Sequence, residues 1–179
     1  MSDSVATLET PRLLLRKAAA ADTESLYLSL WSRPEAARYM LWQPTATREE
    51  ARQRMSRTVA HQRAHLAWTV CEKATGKAIG FAGITPLSPG VYEDTGLALS
   101  PDYWRQGYGR EVLEALADCC FHRLGGTALV CSCRRENVAS QQLQLSCGFC
   151  YTHSEERTDP RDGAAYVVDF YRRERESSC

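Results

Sequence analysis

The stretch Tyr103-Trp104-Arg105-Gln106-Gly107-Tyr108-Gly109-Arg110 decides how the chain is read, because two closely spaced glycines stand at the mouth of a helix. Downstream, Val112, Leu113, Leu116, Ala117, Cys120, Phe121 and Leu124 recur at helical spacing on one face, and Gly125-Gly126 supplies a left-handed stop. Upstream, residues 93–100 read as a strand that Pro101 closes, and after the helix residues 127–133 read as a buried strand. The unit is therefore strand, turn, helix, strand. A glycine-bearing turn at a helix N-terminus aims several backbone N–H groups one way, and the helix dipole adds partial positive charge. That makes a seat for a pyrophosphate, with glycine needed where a side chain would hold the phosphates off.

The same residues exclude two common nucleotide readings. A Walker loop ends in glycine-lysine, which this turn lacks, and Val112 stands where a dinucleotide fingerprint has its third glycine.

Working outward, residues 12–17 form a first strand around Leu13, Leu14 and Leu15. Asp22 is expected to cap a helix carrying Leu26, Leu28, Leu30 and Trp31. Thr47 and Glu50 have the spacing of a capping box, opening a helix from 48 to about 65. Its many arginines and glutamines put it on the surface or against a partner. Residues 66–72 and 78–85 are β-like, joined by the hairpin turn Ala74-Thr75-Gly76-Lys77. Asn137 caps a short helix that Gly148 ends, and strands near 150–155 and 164–171 flank a polar loop over 156–163. The order β-α-α-β-β-β-α-β-α-β-β predicts an α/β fold: a mixed, mostly antiparallel central sheet with one β-α-β unit.

At 179 residues, 44% hydrophobic and 25% charged, the chain is expected to form a single domain over 1–179, with its core about 8–173. Its 22 basic and 22 acidic residues cancel, so there is no general pull toward nucleic acid or an anionic membrane. The polar Met1 to Glu9 and the lack of a long apolar run point to the cytoplasm. Cys131 and Cys133 form C-x-C, and Cys147 and Cys150 form C-x-x-C, but the spacing between the pairs matches no common zinc site. They read as small buried hydrophobes, with no metal expected. His61 and His65, one turn apart with no third ligand nearby, read as a polar helix face.

The turn quoted above, followed by Asn137-Val138-Ala139-Ser140 and Cys147-Gly148-Phe149, resembles the GNAT superfamily of N-acetyltransferases. Within it the chain looks like the RimJ/RimL-like branch, which acetylates protein N-terminal amines and some small amines. The resemblance spans nearly the whole chain. Glu9-Thr10-Pro11-Arg12-Leu13-Leu14-Leu15-Arg16 looks like the opening strand, and Arg33-Pro34-Glu35 and Arg38-Tyr39-Met40 resemble the first helical region. Many members have Gln or Arg three residues before the first glycine; Trp104 stands there, and an aromatic is common in this branch.

The resemblance implies acetyl-CoA as co-substrate, with its pyrophosphate on the backbone of Arg105, Gln106, Gly107, Tyr108, Gly109 and Arg110. Pantetheine would run along Leu97, Ala98 and Leu99, where a backbone N–H could hold the oxyanion. Arg105, Arg110, Arg134 and Arg135 would add positive charge near the phosphates. Asn137 corresponds to a cofactor-contacting asparagine, and it also suits a helix cap. Ser140 is a candidate to protonate or position the leaving thiolate. Glu93 and Asp94 are candidates for the base, Asp94 being the closer match by spacing. Tyr151 is a second candidate acid. Trp42, in the loop Leu41-Trp42-Gln43-Pro44, is a candidate to line the pocket of the amine acceptor, which is a protein N-terminus or a small molecule. Dimers are frequent in this branch, so a homodimer stays open. A non-catalytic acyl-CoA-binding or sensor protein is the alternative reading, and a zinc-dependent interaction module on the cysteine pairs is a third.

Overall fold

The computed structural model describes residues 6–175. An opening hairpin, β1 (Leu8–Glu9) and β2 (Leu13–Arg16), leads into a helical stretch. That stretch comprises α1 (Thr23–Leu26), which continues as π-helix over Tyr27–Trp31, then α2 (Pro34–Ala37) and the long α3 (Arg48–Ala64). The strands β3 (Ala67–Glu72), β4 (Ala78–Ser88), β5 (Val91–Asp94) and β6 (Ala98–Leu99) follow. Then come α4 (Tyr108–Asp118), extended as π-helix over Cys119–Arg123, β7 (Ala128–Arg134), α5 (Val138–Ser146), β8 (Cys150–Thr158) and β9 (Ala165–Glu174).

The strands form one sheet in the order β1-β2-β3-β4-β5-β7-β9-β8, with β6 also on β4. Among the described residues only the β5–β7 pair is parallel. Alternation along the strands divides the core between two faces. Leu13, Leu15, Trp68, Val70, Ile79 and Leu99 pack beneath Val112, Leu113 and Leu116 of α4. Leu14, Cys71, Ala78, Phe81 and Ala98 face Leu26, Leu30, Trp31, Ala51 and Met55 of the helical stretch.

Several expectations need correction. Asp22 makes no side-chain cap for α1; its carboxylate accepts from the Ala19 N–H and pairs with Arg16, because a 3-10 turn over Ala20–Asp22 precedes the helix. Thr47 does accept from the Glu50 N–H, but the Glu50 carboxylate reaches the Ala46 N–H, so the reciprocal bond is displaced by one residue. Strand β8 runs into the expected polar loop because β9 pairs with it as far as Thr158↔Ala165. Cys150 is exposed, unlike Cys119, Cys120, Cys131, Cys133 and Cys147.

The strand expected over 93–100 is two strands, and the break between them shapes the site. Up to Glu93, β5 is paired on both edges, through Thr85↔Glu93 with β4 and Glu93↔Val130 with β7. At Thr95–Gly96 the chain bends. Gly96 sits at φ +118°, a region essentially closed to residues with a Cβ, and its N–H donates to Asp94 Oδ1 at 3.0 Å. After the bend, β6 follows β4 alone, through Phe81↔Ala98 and Gly80↔Leu99. Meanwhile Cys131 to Arg134 of β7 continue with β9 alone. A wedge therefore opens in the sheet between β6 and the second half of β7.

A Cβ at Gly96 would meet nothing closer than Met40 Cε at 3.8 Å, so space does not forbid a side chain; backbone conformation does. Gly96→Ala should cost about 1–3 kcal/mol in urea unfolding. An unchanged midpoint would show that the bend relaxes freely.

Candidate active site

The turn before α4 is held from behind. Arg12 donates to Gln106 O at 3.0 Å and to the Glu111 carboxylate at 2.7 Å, and its guanidinium lies 4.0 Å from the Tyr108 ring centroid. Tyr103 and Tyr108 both donate their hydroxyls to Glu72, at 3.1 and 3.0 Å. Gly107, at φ +81°, takes the left-handed conformation that starts the helix. Gly109 matters for a different reason: a Cβ there would press on Leu143 of α5 at 3.2 Å. Among the described residues, no backbone N–H from Arg105 to Arg110 donates to a protein acceptor. Arg105, Gln106, Gly107 and Arg110 are exposed around these free donors, whereas the Tyr108 side chain is buried. The helix start thus leaves its backbone donors open, as a bound anion would require.

The wedge has its own unpaired edge. Ser100 N–H bonds Ile79 O on β4, so by strand alternation Leu99 turns its N–H and C=O the other way. The Trp104 indole N–H takes Leu99 O at 2.8 Å, which leaves the Leu99 N–H. Leu97 N–H has no acceptor among the described residues. Ala98, by the same alternation, directs its backbone at β4. Of the three strand residues expected beside pantetheine, the outer two face the opening.

Asp94 stands where the wedge begins. It is half-buried, and burial pushes its carboxyl up to about 7, against the lowering bond from Gly96 N–H and with a further push from Glu93. Across the wedge the Cys131 thiol is held well above its ordinary range, first by burial and then by the Asp94 charge. Glu93 lies one residue earlier, between Thr85 and Val130. On the far wall, Asn137 Oδ1 caps α5 through the Ser140 N–H at 3.2 Å, while its Nδ2 has no acceptor among the described residues. Ser140 Oγ accepts from Gln144 Nε2 at 3.2 Å, and its hydroxyl is also within hydrogen-bonding reach of the Cys133 thiol.

On the opposite face of the sheet lies a pocket of about 720 Å³. Its floor is sheet, including Thr69, Phe81, Thr95 and Gly96, and its wall is α3, including Arg54, Arg57 and His61. Trp42 lines it from the loop before α3. Because Thr95 and Gly96 follow Asp94 directly, this pocket and the wedge meet at the strand bend.

Two arginines expected near the phosphates are engaged elsewhere. Arg134 pairs with Asp159 and stacks on Tyr166, and Arg135 pairs with Asp169. Tyr151 is exposed, with its hydroxyl 2.8 Å from Ser154 Oγ. His61 and His65 stack at 4.2 Å between centroids. Sequence reasoning missed Arg12, Glu72 and Glu111, which anchor the turn across long sequence separations. It also missed Arg54, although the inward face through Ala51, Met55 and Gln62 was there to be read at helical spacing.

The chain is similar to known acetyltransferases. A family model described as an acetyltransferase (GNAT) domain matches residues 12–150. The uncharacterized N-acetyltransferase YoaA of Bacillus subtilis (strain 168) is 27% identical over 145 residues, which are 79% of this chain and 81% of that protein. An acetyltransferase (GNAT family) from Bacillus anthracis has the same fold, with a TM-score of 0.81 at 18% identity over 94% of this chain and 98% of that one. RimL, a ribosomal-protein alpha-N-acetyltransferase in complex with coenzyme A, gives 0.76 at 20% identity over 94% and 97%.

The raised Asp94 carboxyl has a consequence for stability. Folded Asp94 keeps its proton up to about pH 7, whereas an unfolded aspartate loses it near about pH 4. The folded state therefore binds more protons between these values, and its stability falls as pH rises through that window. Asp94→Asn keeps an acceptor for Gly96 N–H without the charge. Its melting temperature relative to wild type should climb between pH 4 and pH 7 and then level off. A difference that stays constant with pH would contradict the raised value.

Proposed function

Since the chain belongs to the acetyltransferase (GNAT) domain family and is an N-acetyltransferase, we propose that it moves acetyl directly from acetyl-CoA to a primary amine held under α3. GNAT acetyltransferases use acetyl-CoA to acetylate amines. The acceptor is a protein N-terminal α-amine or a small-molecule amine, and the branch is RimJ/RimL-like. The observation that carries this reading is the wedge between β6 and β7, opening beside the free N–H groups at the start of α4.

In this reading the pyrophosphate sits on the N–H groups of Arg105 to Arg110, with the Arg105 and Arg110 side chains adding charge. Pantetheine enters the wedge as a substitute strand, bonding the edge at Leu97 and Leu99, while Asn137 Nδ2 donates from α5. The thioester then lies near the strand bend, where an amine in the pocket meets it past Thr95 and Gly96. An α-amine is half protonated near about pH 8 and a lysine amine near about pH 10, so a base is needed. Asp94, poised about pH 7, takes that proton directly or through one water.

The amine nitrogen adds to the thioester carbon, and the carbonyl electrons move onto oxygen. A Leu97 or Leu99 N–H holds that oxyanion. When the carbonyl re-forms, the C–S bond breaks and the sulfur leaves as thiolate. Ser140 gives the thiolate its hydroxyl proton and regains one from solvent. No acetylated enzyme forms. Glu93, beside Asp94, supports the base through its charge.

Isothermal titration should show acetyl-CoA binding at micromolar Kd, with ADP and NAD much weaker; no binding to folded protein would remove the proposal. With a competent amine, kcat/KM should rise through about pH 7. Asp94→Asn should flatten that rise and lower kcat by about 100-fold or more, with acetyl-CoA affinity retained. Retention of the full pH limb in this variant would move the base elsewhere.

A further inference from the structure

The pocket under α3 is cationic, and its cation is unusual. Arg54 is half-buried, with its guanidinium 4.9 Å from the Trp31 ring centroid and 4.4 Å from that of Trp42. Of its five N–H donors, only Nη1 has an acceptor among the described residues, Thr45 Oγ1 at 3.1 Å. No carboxylate lies within ion-pair distance of it among the described residues. Burial, and then the charge of Arg57, pull its guanidinium down to about 10. Earlier on the same helix, Arg48 pairs with Glu24 and Arg52 with Glu49, whereas the exposed Arg57 and Arg63 make no ion pair among the described residues.

Arg57 is one turn further along α3 and lines the same pocket without an ion pair among the described residues. The remaining ionisable groups of the wall are Glu50 and His61. Glu50 is engaged by the Ala46 N–H, and His61 is held below its ordinary value by burial and by neighbouring His65 and Lys17. A second donor is also idle, since the Trp42 indole N–H is buried with no acceptor among the described residues. The two indole faces and Thr45 offset part of the cost of taking this guanidinium from water beside a like charge, and an anion brought by a ligand would offset more.

We propose that Arg54, clasped between Trp31 and Trp42, and Arg57 bind a carboxylate or phosphate carried by the acceptor, so that the acceptor is an amine bearing its own anionic group. This rests on the acetyl-transfer reading and narrows it. The amine end points toward Thr95, Gly96 and the strand bend, and the anionic end toward α3. A polyamine lacks the anion and meets two positive charges. The flat guanidinium suits a bidentate oxyanion, and the flanking indoles exclude water from that contact.

The test uses mimics of the acetylated product with CoA bound, read by tryptophan fluorescence at constant ionic strength. N-acetylglycine and N-acetylethanolamine phosphate carry the carboxylate and the phosphate; N-acetylglycinamide and N-acetylethanolamine are their neutral counterparts. At least one anionic mimic should bind ten-fold or more tighter than its neutral counterpart, and the stronger arm identifies the anion. Arg57→Gln should reduce that preference and Arg54→Gln should abolish it, while the Kd for CoA stays unchanged in both. Arg54→Lys, which keeps the charge but loses the flat fork, should recover only part. Equal binding of neutral and anionic mimics, binding of none, or a preference that survives Arg54→Gln would overturn the proposal. CoA binding distinguishes the two failures: if it persists, only the acceptor class is wrong, and if it is missing, the acetyl-transfer reading falls as well.

Discussion

The bend at Asp94-Thr95-Gly96 is the constraint on which the rest of the site depends. A strand in mid-sheet normally satisfies its backbone on both edges. Here β5 does so as far as Glu93, and β6 then keeps its bonds with β4 while losing those with β7. The Asp94 carboxylate accepting from Gly96 N–H closes the bend locally, so one side chain both shapes the strand and occupies the point where wedge and pocket meet. The unpaired edge that results is a liability in an empty sheet, and it becomes an asset when an extended ligand can serve as the missing strand.

Two ionisable groups, one at the strand bend and one in the pocket wall, are held away from their ordinary values for the same reason. Asp94 is pushed up and Arg54 is pulled down, and in both cases loss of water is the leading cause. Elsewhere the fold pairs its inward charges carefully, as in Arg16 with Asp22 and in Arg134 and Arg161 with Asp159. Against that background, charges left without partners beside a cavity mark the places where a substrate is expected to complete the structure.

Local signals in the sequence were read well wherever a residue's role is decided by its near neighbours. Asn137 caps α5 and Thr47 caps α3 because each needs only a free N–H three residues ahead. Gly107 opens α4 because the left-handed turn is a backbone requirement of that one position. Asp22 misled because its carboxylate had a better partner in Arg16, held beside it by the strand. The run over 93–100 misled for a related reason. Its composition is that of a strand throughout, and only pairing on two edges reveals that it bends.

The sequence by itself determined the order of strand, turn, helix and strand, the left-handed glycine that opens the helix at Gly107, and a mixed, mostly antiparallel sheet around them. Periodicity and backbone chemistry act over a few residues, and so can be read from order alone. Only the tertiary structure decided that Arg12, Glu72 and Glu111 fasten the turn, that Arg134 and Arg135 pair away from it, and that Arg54 lies against Trp31 and Trp42 without an ion pair among the described residues. Those outcomes depend on partners far away along the chain, and on how much water each charge keeps once the sheet and its helices have closed around it.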